Sequence, residues 1–182
     1  IEKEGWHKSL SFLIPMLGTN ERAEIYEKEV NGVVYVGLSH PYFSKRLGIY
    51  GDTSFQPYPD NCPRFLCFAK ATALYLAATD WKVDIVHCHD WTTGLIPYYL
   101  NYFKVEAKTV FTIHNLAYQG VFPPFDAIIS SSRIPKSALR GPKAHENINM
   151  MAAGLLDCDF ITTVSPTYME EIRESGMGCG LD

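Results

Sequence analysis

The run Asp84-Ile85-Val86-His87-Cys88-His89-Asp90-Trp91, followed by Lys108-Thr109-Val110-Phe111-Thr112-Ile113-His114-Asn115, decides the fold class. Each is a short apolar stretch that ends abruptly in His, Asp or Asn. That is the form of a buried parallel strand delivering polar groups to the carboxyl edge of a sheet, where open α/β folds bind their ligands. The search for function therefore starts at that edge.

Outward from these strands the pattern turns helical. Residues Arg64 to Thr79 are rich in Ala and Leu and apolar almost all round, with Asp60 and Asn61 as cap residues and Pro63 near the first turn. This predicts a largely buried helix feeding a strand over Val83 to His87. Leu95, Tyr98, Tyr99 and Tyr102 recur at helical spacing, so Thr92 to Phe103 is the next predicted helix despite Pro97, with Asp90 standing where an N-cap carboxylate would. Lys108 to Ile113 is the following strand. After an irregular stretch rich in Pro and Ser, Phe122 to Lys143, a helix is predicted over His145 to Leu156. A strand over Phe160 to Val164 and a helix over Thr167 to Glu174 follow, the last capped by Ser165 and opened by Pro166. Strands alternating with helices build right-handed βαβ units. The expected class is α/β, a Rossmann-like parallel sheet with helices on both faces.

Toward the amino terminus, Tyr26 to Val30 and Val33 to Leu38 flank Asn31-Gly32, and Asn-Gly supplies the positive φ angles of a type I′ hairpin turn. Residues 1 to 23 carry an apolar patch, Leu10 to Leu17, broken by Pro15, and receive no assignment. Ser39 to Asn61, containing Tyr50-Gly51-Asp52, has no steady period and is expected to be a long surface loop or lid.

The chain of 182 residues is 47% hydrophobic and 13% aromatic, enough for the core of one compact domain. Sixteen Lys and Arg against twenty Asp and Glu give a formal charge of -4 without a basic run, which argues against nucleic acid or a membrane surface as partner. Five cysteines, an odd number lying mostly inside apolar segments, suggest free buried thiols in a reducing compartment such as the cytoplasm, and no CxxC pair suggests zinc. With no eighteen-residue apolar stretch, no signal-peptide pattern and Ile1 as its first residue, the chain reads as an excised piece of a longer protein.

Strand alternation puts His87 and His89 on the same side of the sheet, which raises a His-x-His metal site. No second carboxylate and histidine set completes a coordination shell, so His87 is expected to be a neutral core imidazole bonded to a neighbour. Cys88 points to the opposite face and is read as a spectator thiol. Asp90 has two compatible roles, helix cap and sugar-hydroxyl contact. His114-Asn115-Leu116-Ala117-Tyr118-Gln119-Gly120 gathers an imidazole, amides and a Tyr at a strand end, groups suited to hydrogen-bonding a polyol and costly to bury without partners. Gly176-Met177-Gly178-Cys179-Gly180 follows a helix rather than a strand, which is the wrong context for a phosphate loop, and is taken as a flexible exit.

At these residues the chain resembles the bacterial glycogen synthase and plant starch synthase family, the ADP-glucose-type glycosyltransferases of family 5. The matching runs are Tyr50-Gly51-Asp52, Tyr58-Pro59-Asp60-Asn61, His87 to Trp91, Val110 to Gly120, Thr163-Val164-Ser165-Pro166-Thr167-Tyr168 and Gly178-Cys179-Gly180-Leu181-Asp182. The resemblance implies a GT-B fold of two Rossmann-like domains. It also implies metal-free transfer of glucose from ADP-glucose, a substrate rather than a cofactor, to the non-reducing end of an α-1,4-glucan with retention of configuration. On this reading residues 1–182 are part of the amino-terminal, acceptor-side domain, inactive without the nucleotide-binding domain, in the cytoplasm or, in a plant or alga, the plastid. Asp90 and His114 would lie at the glucose, with the His114 carbonyl facing developing oxocarbenium charge; Tyr50 would lie above the acceptor path, with Asn115 and Gln119 as further substrate contacts. The family's Lys-x-Gly-Gly-Leu loop does not occur in the chain, and Ala152 stands where the family has a Lys. Two other classes compete: a noncatalytic glucan-binding or regulatory module, and, last, a metal-dependent hydrolase using His87, His89 and His114.

Overall fold

The computed structural model describes residues 5–16, 18–44, 46–124, 133–140 and 147–182. It begins with an antiparallel sheet of β1 (His7–Met16), β2 (Thr19–Val30) and β3 (Val33–Ser39) in that spatial order. The expected hairpin is present: Val30 pairs with Val33, and Asn31 and Gly32 take φ of 53° and 78°. The unassigned start is a strand. Its Pro15 is accommodated because β1 is an edge strand of this sheet, where a missing N–H costs no ladder bond.

Helix α1 (Asn61–Ala78) is buried along most of its length and packs against Ile14 and Met16 of β1 and Ala23 of β2. Its one buried lysine, Lys70, donates to the Pro15 carbonyl at 2.6 Å, and burial lowers its pKa to about 8. Asp60 does not cap α1 with its side chain; the carboxylate instead meets Arg46 at 2.5 Å.

A parallel sheet follows, made of β4 (Ile85–His89), β5 (Lys108–Ile113) and, last in the chain, β9 (Phe160–Thr163), in the order β4-β5-β9. The helix expected over Thr92 to Phe103 is divided into a 3₁₀ turn, Trp91–Thr93, and α2 (Ile96–Tyr102). Pro97 sits in the first turn of α2, where its lack of an N–H is harmless. A small second antiparallel sheet forms from β6 (Val121–Phe122) and β7 (Leu139–Arg140), which lie toward the two ends of the stretch read as irregular, and β8 (Asn147–Asn149), which takes the first part of the helix predicted over His145 to Leu156, with β8 in the middle. Helix α3 (Met150–Asp157) starts after β8 rather than at His145, which lies outside the described residues, and α4 (Pro166–Glu171) follows β9 with Ser165 accepting from Tyr168 N–H at 3.1 Å.

The core forms where Cys88 and Phe111 of the parallel sheet meet Leu66, Leu100, Met151 and Ala153 from α1, α2 and α3. The other side of the sheet carries Ile85, His87, His89 and Phe160, all exposed. Of the five thiols, Cys62, Cys67 and Cys88 are buried, Cys158 is half-buried and Cys179 is exposed. Among the described residues no helix is long and apolar enough to cross a membrane. The segment after α4 is not a loose exit: Gly178 N–H bonds to the Glu174 carbonyl at 2.8 Å, and Leu181 packs against the core.

Gly154 lets α3 approach β5, because a Cβ there would lie 2.3 Å from the Phe111 ring. Gly154→Ala should therefore destabilise the fold by about 1–3 kcal/mol, read as a lower urea midpoint, and adding Phe111→Leu should recover part of the loss.

Candidate active site

Because β4 and β5 pair in parallel from Ile85↔Lys108 to His89↔Thr112, the residues after each strand emerge at one edge. Asp90 leaves β4 with φ 55° and ψ -176°, a region that costs a non-glycine residue about 1–3 kcal/mol. Its neighbours fix that geometry. Asp90 N–H donates to the Thr112 carbonyl at 3.1 Å, and its own carbonyl accepts from Thr93 N–H and the Thr93 hydroxyl, each at 3.1 Å. The carboxylate Oδ1 accepts from His114 N–H at 2.8 Å and from Asn115 N–H at 3.4 Å. The expected capping role is thus corrected. Asp90 makes no side-chain bond to the turn that follows it; through Oδ1 it bridges to the end of the next strand.

The His114 imidazole is exposed, with Nε2 3.0 Å from His89 Nδ1. The His89 ring in turn lies 4.2 Å from the His87 ring, and His87 Nε2 is 2.6 Å from the Thr112 hydroxyl. Burial, followed by the proximity of His87 and His114, lowers the His89 pKa, so His89 favours its neutral form. Which of the two facing nitrogens donates depends on the ring tautomers. His87 has the neighbouring partner expected of it, but it is exposed rather than in the core, because alternation turns it to the open side of the sheet. Among the described residues no group of three or more His, Cys, Asp or Glu is arranged to hold a metal ion.

The loop after His114 is fixed by bonds from its side chains, both within the loop and to other segments. Asn115 Oδ1 accepts from Ala117 N–H at 3.0 Å. Gln119 Oε1 accepts from Asn149 Nδ2 at 2.7 Å, and Nε2 donates to the Cys179 carbonyl at 3.0 Å, so this amide ties three segments together and has one N–H left over. The carbonyls of Gln119 and Gly120 accept from Met151 and Met150, the first N–H groups of α3. Gly120 is required here: its φ is 63°, and a Cβ would lie 2.4 Å from the Trp91 ring.

Tyr50 enters from the loop before α1, which is pinned rather than free. The buried Arg64 donates to the carbonyls of Tyr42 and Ile49, each at 3.0 Å, and Asn61 Nδ2 donates to the Tyr50 carbonyl at 2.8 Å. The Tyr50 ring sits 5.8 Å from Trp91, which packs edge-on against Phe65 at 4.8 Å. These elements enclose a cavity of about 910 Å³ whose lining includes Tyr50, Asp90, Trp91, Asn115, Tyr118 and Gln119. Four of the five residues singled out from sequence converge on it. The fifth, His114, joins them through its backbone, while its ring stands outside this wall against His89.

Residues 2–182 match the family described as the starch synthase catalytic domain. The chain belongs to that family. Glycogen synthase 2 of Nitrosococcus oceani is 43% identical over 156 residues, 82% of this chain and 31% of that protein. Glycogen synthase of Fusobacterium nucleatum is 37% identical over 165 residues, 89% of this chain and 34% of that one. Among solved structures, the catalytic domain of starch synthase IV from Arabidopsis thaliana, bound to ADP and acarbose, superposes with a TM-score of 0.77 at 25% identity, covering 97% of this chain and 37% of that one. The chain spans about a third of the length of the relatives it matches.

In this member of the family Ala152 is fully buried in the first turn of α3, with its N–H bonded to Asn149 Oδ1 at 2.9 Å, so the position places no cation at the site. Sequence reading passed over Trp91 and Arg64 as site-forming groups, weighed His89 only as a metal ligand, and counted Tyr118 among the polyol-bonding groups without naming it a site residue. Arg64 left a usable signal, a lone guanidinium in an otherwise apolar helical run.

Asp90→Ala removes the bridge to His114 N–H and should lower stability by about 1–3 kcal/mol, whereas Asp90→Asn, which keeps an acceptor oxygen, should lose less than about 1 kcal/mol. Denaturant unfolding of the two variants side by side checks this order.

Proposed function

We propose that this chain forms the acceptor-side part of a retaining glucosyltransferase that moves glucose from ADP-glucose to the non-reducing end of an α-1,4-glucan in glycogen or starch synthesis. The observation that carries the reading is the convergence of Asp90, Asn115, Tyr50 and Gln119 on one aromatic-walled cavity at the carboxyl edge of the sheet. Family membership supports it, as do the glycogen synthase relatives. A cytoplasmic or plastid setting accords with the five free thiols.

Transfer of a glucosyl group builds positive charge at the anomeric carbon and needs fixed hydrogen-bond partners around the sugar. In this reading Asp90 Oδ2 accepts from a sugar hydroxyl while Oδ1 keeps the His114 backbone in place. The His114 carbonyl faces the developing oxocarbenium charge, and its imidazole, held against His89 outside the cavity wall, bonds a hydroxyl of the transferred glucose where that sugar extends beyond the acceptor cavity. Asn115 and the remaining Gln119 N–H contact hydroxyls along the cavity, and Tyr50 covers the acceptor path. The cations that stabilise the departing diphosphate come from a nucleotide-binding domain beyond this part, and by itself this part does not turn over. No metal or cofactor enters the scheme; the nucleotide sugar is a substrate.

A second reading, a noncatalytic glucan-binding module, is favoured by one observation, the buried alanine at position 152. The intact protein separates the two. The transferase reading expects labelled glucose from ADP-glucose to lengthen maltoheptaose, with UDP-glucose a poorer donor. Binding of maltoheptaose without elongation by either donor would instead establish the module. Because the Asp90 bridge uses the backbone of residue 114, His114→Ala should lower kcat by roughly 10²–10³-fold and change unfolding stability by less than about 1 kcal/mol. Unchanged kcat would remove the imidazole from the mechanism.

A further inference from the structure

Phe55 is 92% exposed and sits at φ 61°, a backbone conformation in which bulky residues are rarely found. The three-residue hairpin turn requires the left-handed backbone at this position, but nothing in the fold calls for a bulky, solvent-facing side chain there. A solvent-facing benzyl group gains nothing by burial, and a left-handed backbone there would be relieved by glycine. Yet the turn that displays the ring is tightly built. Asp52 Oδ1 accepts from Ser54 N–H at 2.8 Å and from Gln56 N–H at 3.0 Å. Phe55 N–H donates to the Asp52 carbonyl at 3.1 Å, Asp52 N–H donates to the Gln56 carbonyl at 3.0 Å, and Gly51 pairs with Pro57. The ring is therefore presented by a preorganised loop.

Its location identifies what it is presented to. Phe55 lines the same cavity as Tyr50, Asp90, Trp91 and Tyr118, and the rings of Tyr50 and Tyr118 are themselves 53% and 69% exposed. Exposed aromatic rings and hydrogen-bonding side chains around one cavity suit a ligand with apolar faces and hydroxylated rims. A linear glucan has that character: the C–H faces of each pyranose lie flat on aromatic rings while the hydroxyl groups project sideways to polar side chains. An apolar peptide would leave the Asp90 carboxylate desolvated and unpaired, which is costly.

We propose that Phe55 is an outer platform of the acceptor path, stacking on a glucose unit away from the reacting end and thereby setting the preference for longer glucan chains. This rests on the transferase reading above and extends it to a residue that the family resemblance did not select. The ring acts by binding and takes no part in bond making.

The test uses the intact protein with ADP-glucose, comparing maltose with maltoheptaose as acceptors for wild type, Phe55→Leu and Phe55→Trp. Loss of the aromatic face in Phe55→Leu is expected to raise KM for maltoheptaose about three- to ten-fold, to leave KM for maltose and for the donor unchanged, and to leave kcat unchanged; Phe55→Trp keeps the wild-type values. Equal maltoheptaose KM in wild type and Phe55→Leu overturns the platform while leaving the transferase reading intact. A change in donor KM or thermal midpoint in place of acceptor KM also overturns it, since the ring would then pack against another part of the protein. Failure of wild type to elongate either acceptor defeats the reading on which the inference rests.

Discussion

The hydrogen bond from His114 N–H to the Asp90 carboxylate is the constraint on which the site depends. Parallel pairing brings the ends of β4 and β5 together, but the chain then leaves each strand in a different direction. The Asp90 carboxylate joins the two exits within a single contact. It also compensates for a backbone geometry that Asp90 would otherwise avoid, and so couples local strain to long-range position.

From that junction the rest of the site follows by successive attachment. The loop after His114 continues to Gly120, where the absence of a side chain allows contact with Trp91, and its carbonyls take up the first N–H groups of α3. Gln119 then secures the turn around Cys179. On the other flank, Arg64 and Asn61 hold the loop that carries Tyr50 against the same Trp91. Two loops far apart in sequence thus share one aromatic contact, and the cavity between them is walled by groups whose structural bonds are already made.

The features legible in the sequence were those encoded locally. Asn31-Gly32 announced its hairpin, and the three strands of the parallel sheet showed themselves as apolar runs between helical patterns. The convergence of Tyr50, Asp90, Asn115 and Gln119 was legible through family resemblance. What escaped depended on distant partners. Asp90 looked like a helix cap because a carboxylate before a helix usually is one, whereas its true partner lies 24 residues on. Alternation placed His87 and His89 together but said nothing about which side of the sheet would be covered. The strands Val121–Phe122, Leu139–Arg140 and Asn147–Asn149 are too short to show a period and exist only through pairing with one another. Pro15 concealed β1 because its tolerance depends on edge position, a property of the assembled sheet.

We propose that the edge held by Asp90 and His114 receives a glucose unit. The direct test is a crystal structure of the intact protein with ADP and a maltooligosaccharide. The predicted result is a sugar hydroxyl about 3 Å from Asp90 Oδ2, with Oδ1 still bonded to His114 N–H and the glucan running past Tyr50 and Trp91. Sugar bound elsewhere with this cavity unfilled, or an Asp90 carboxylate turned away from His114 N–H, would contradict it.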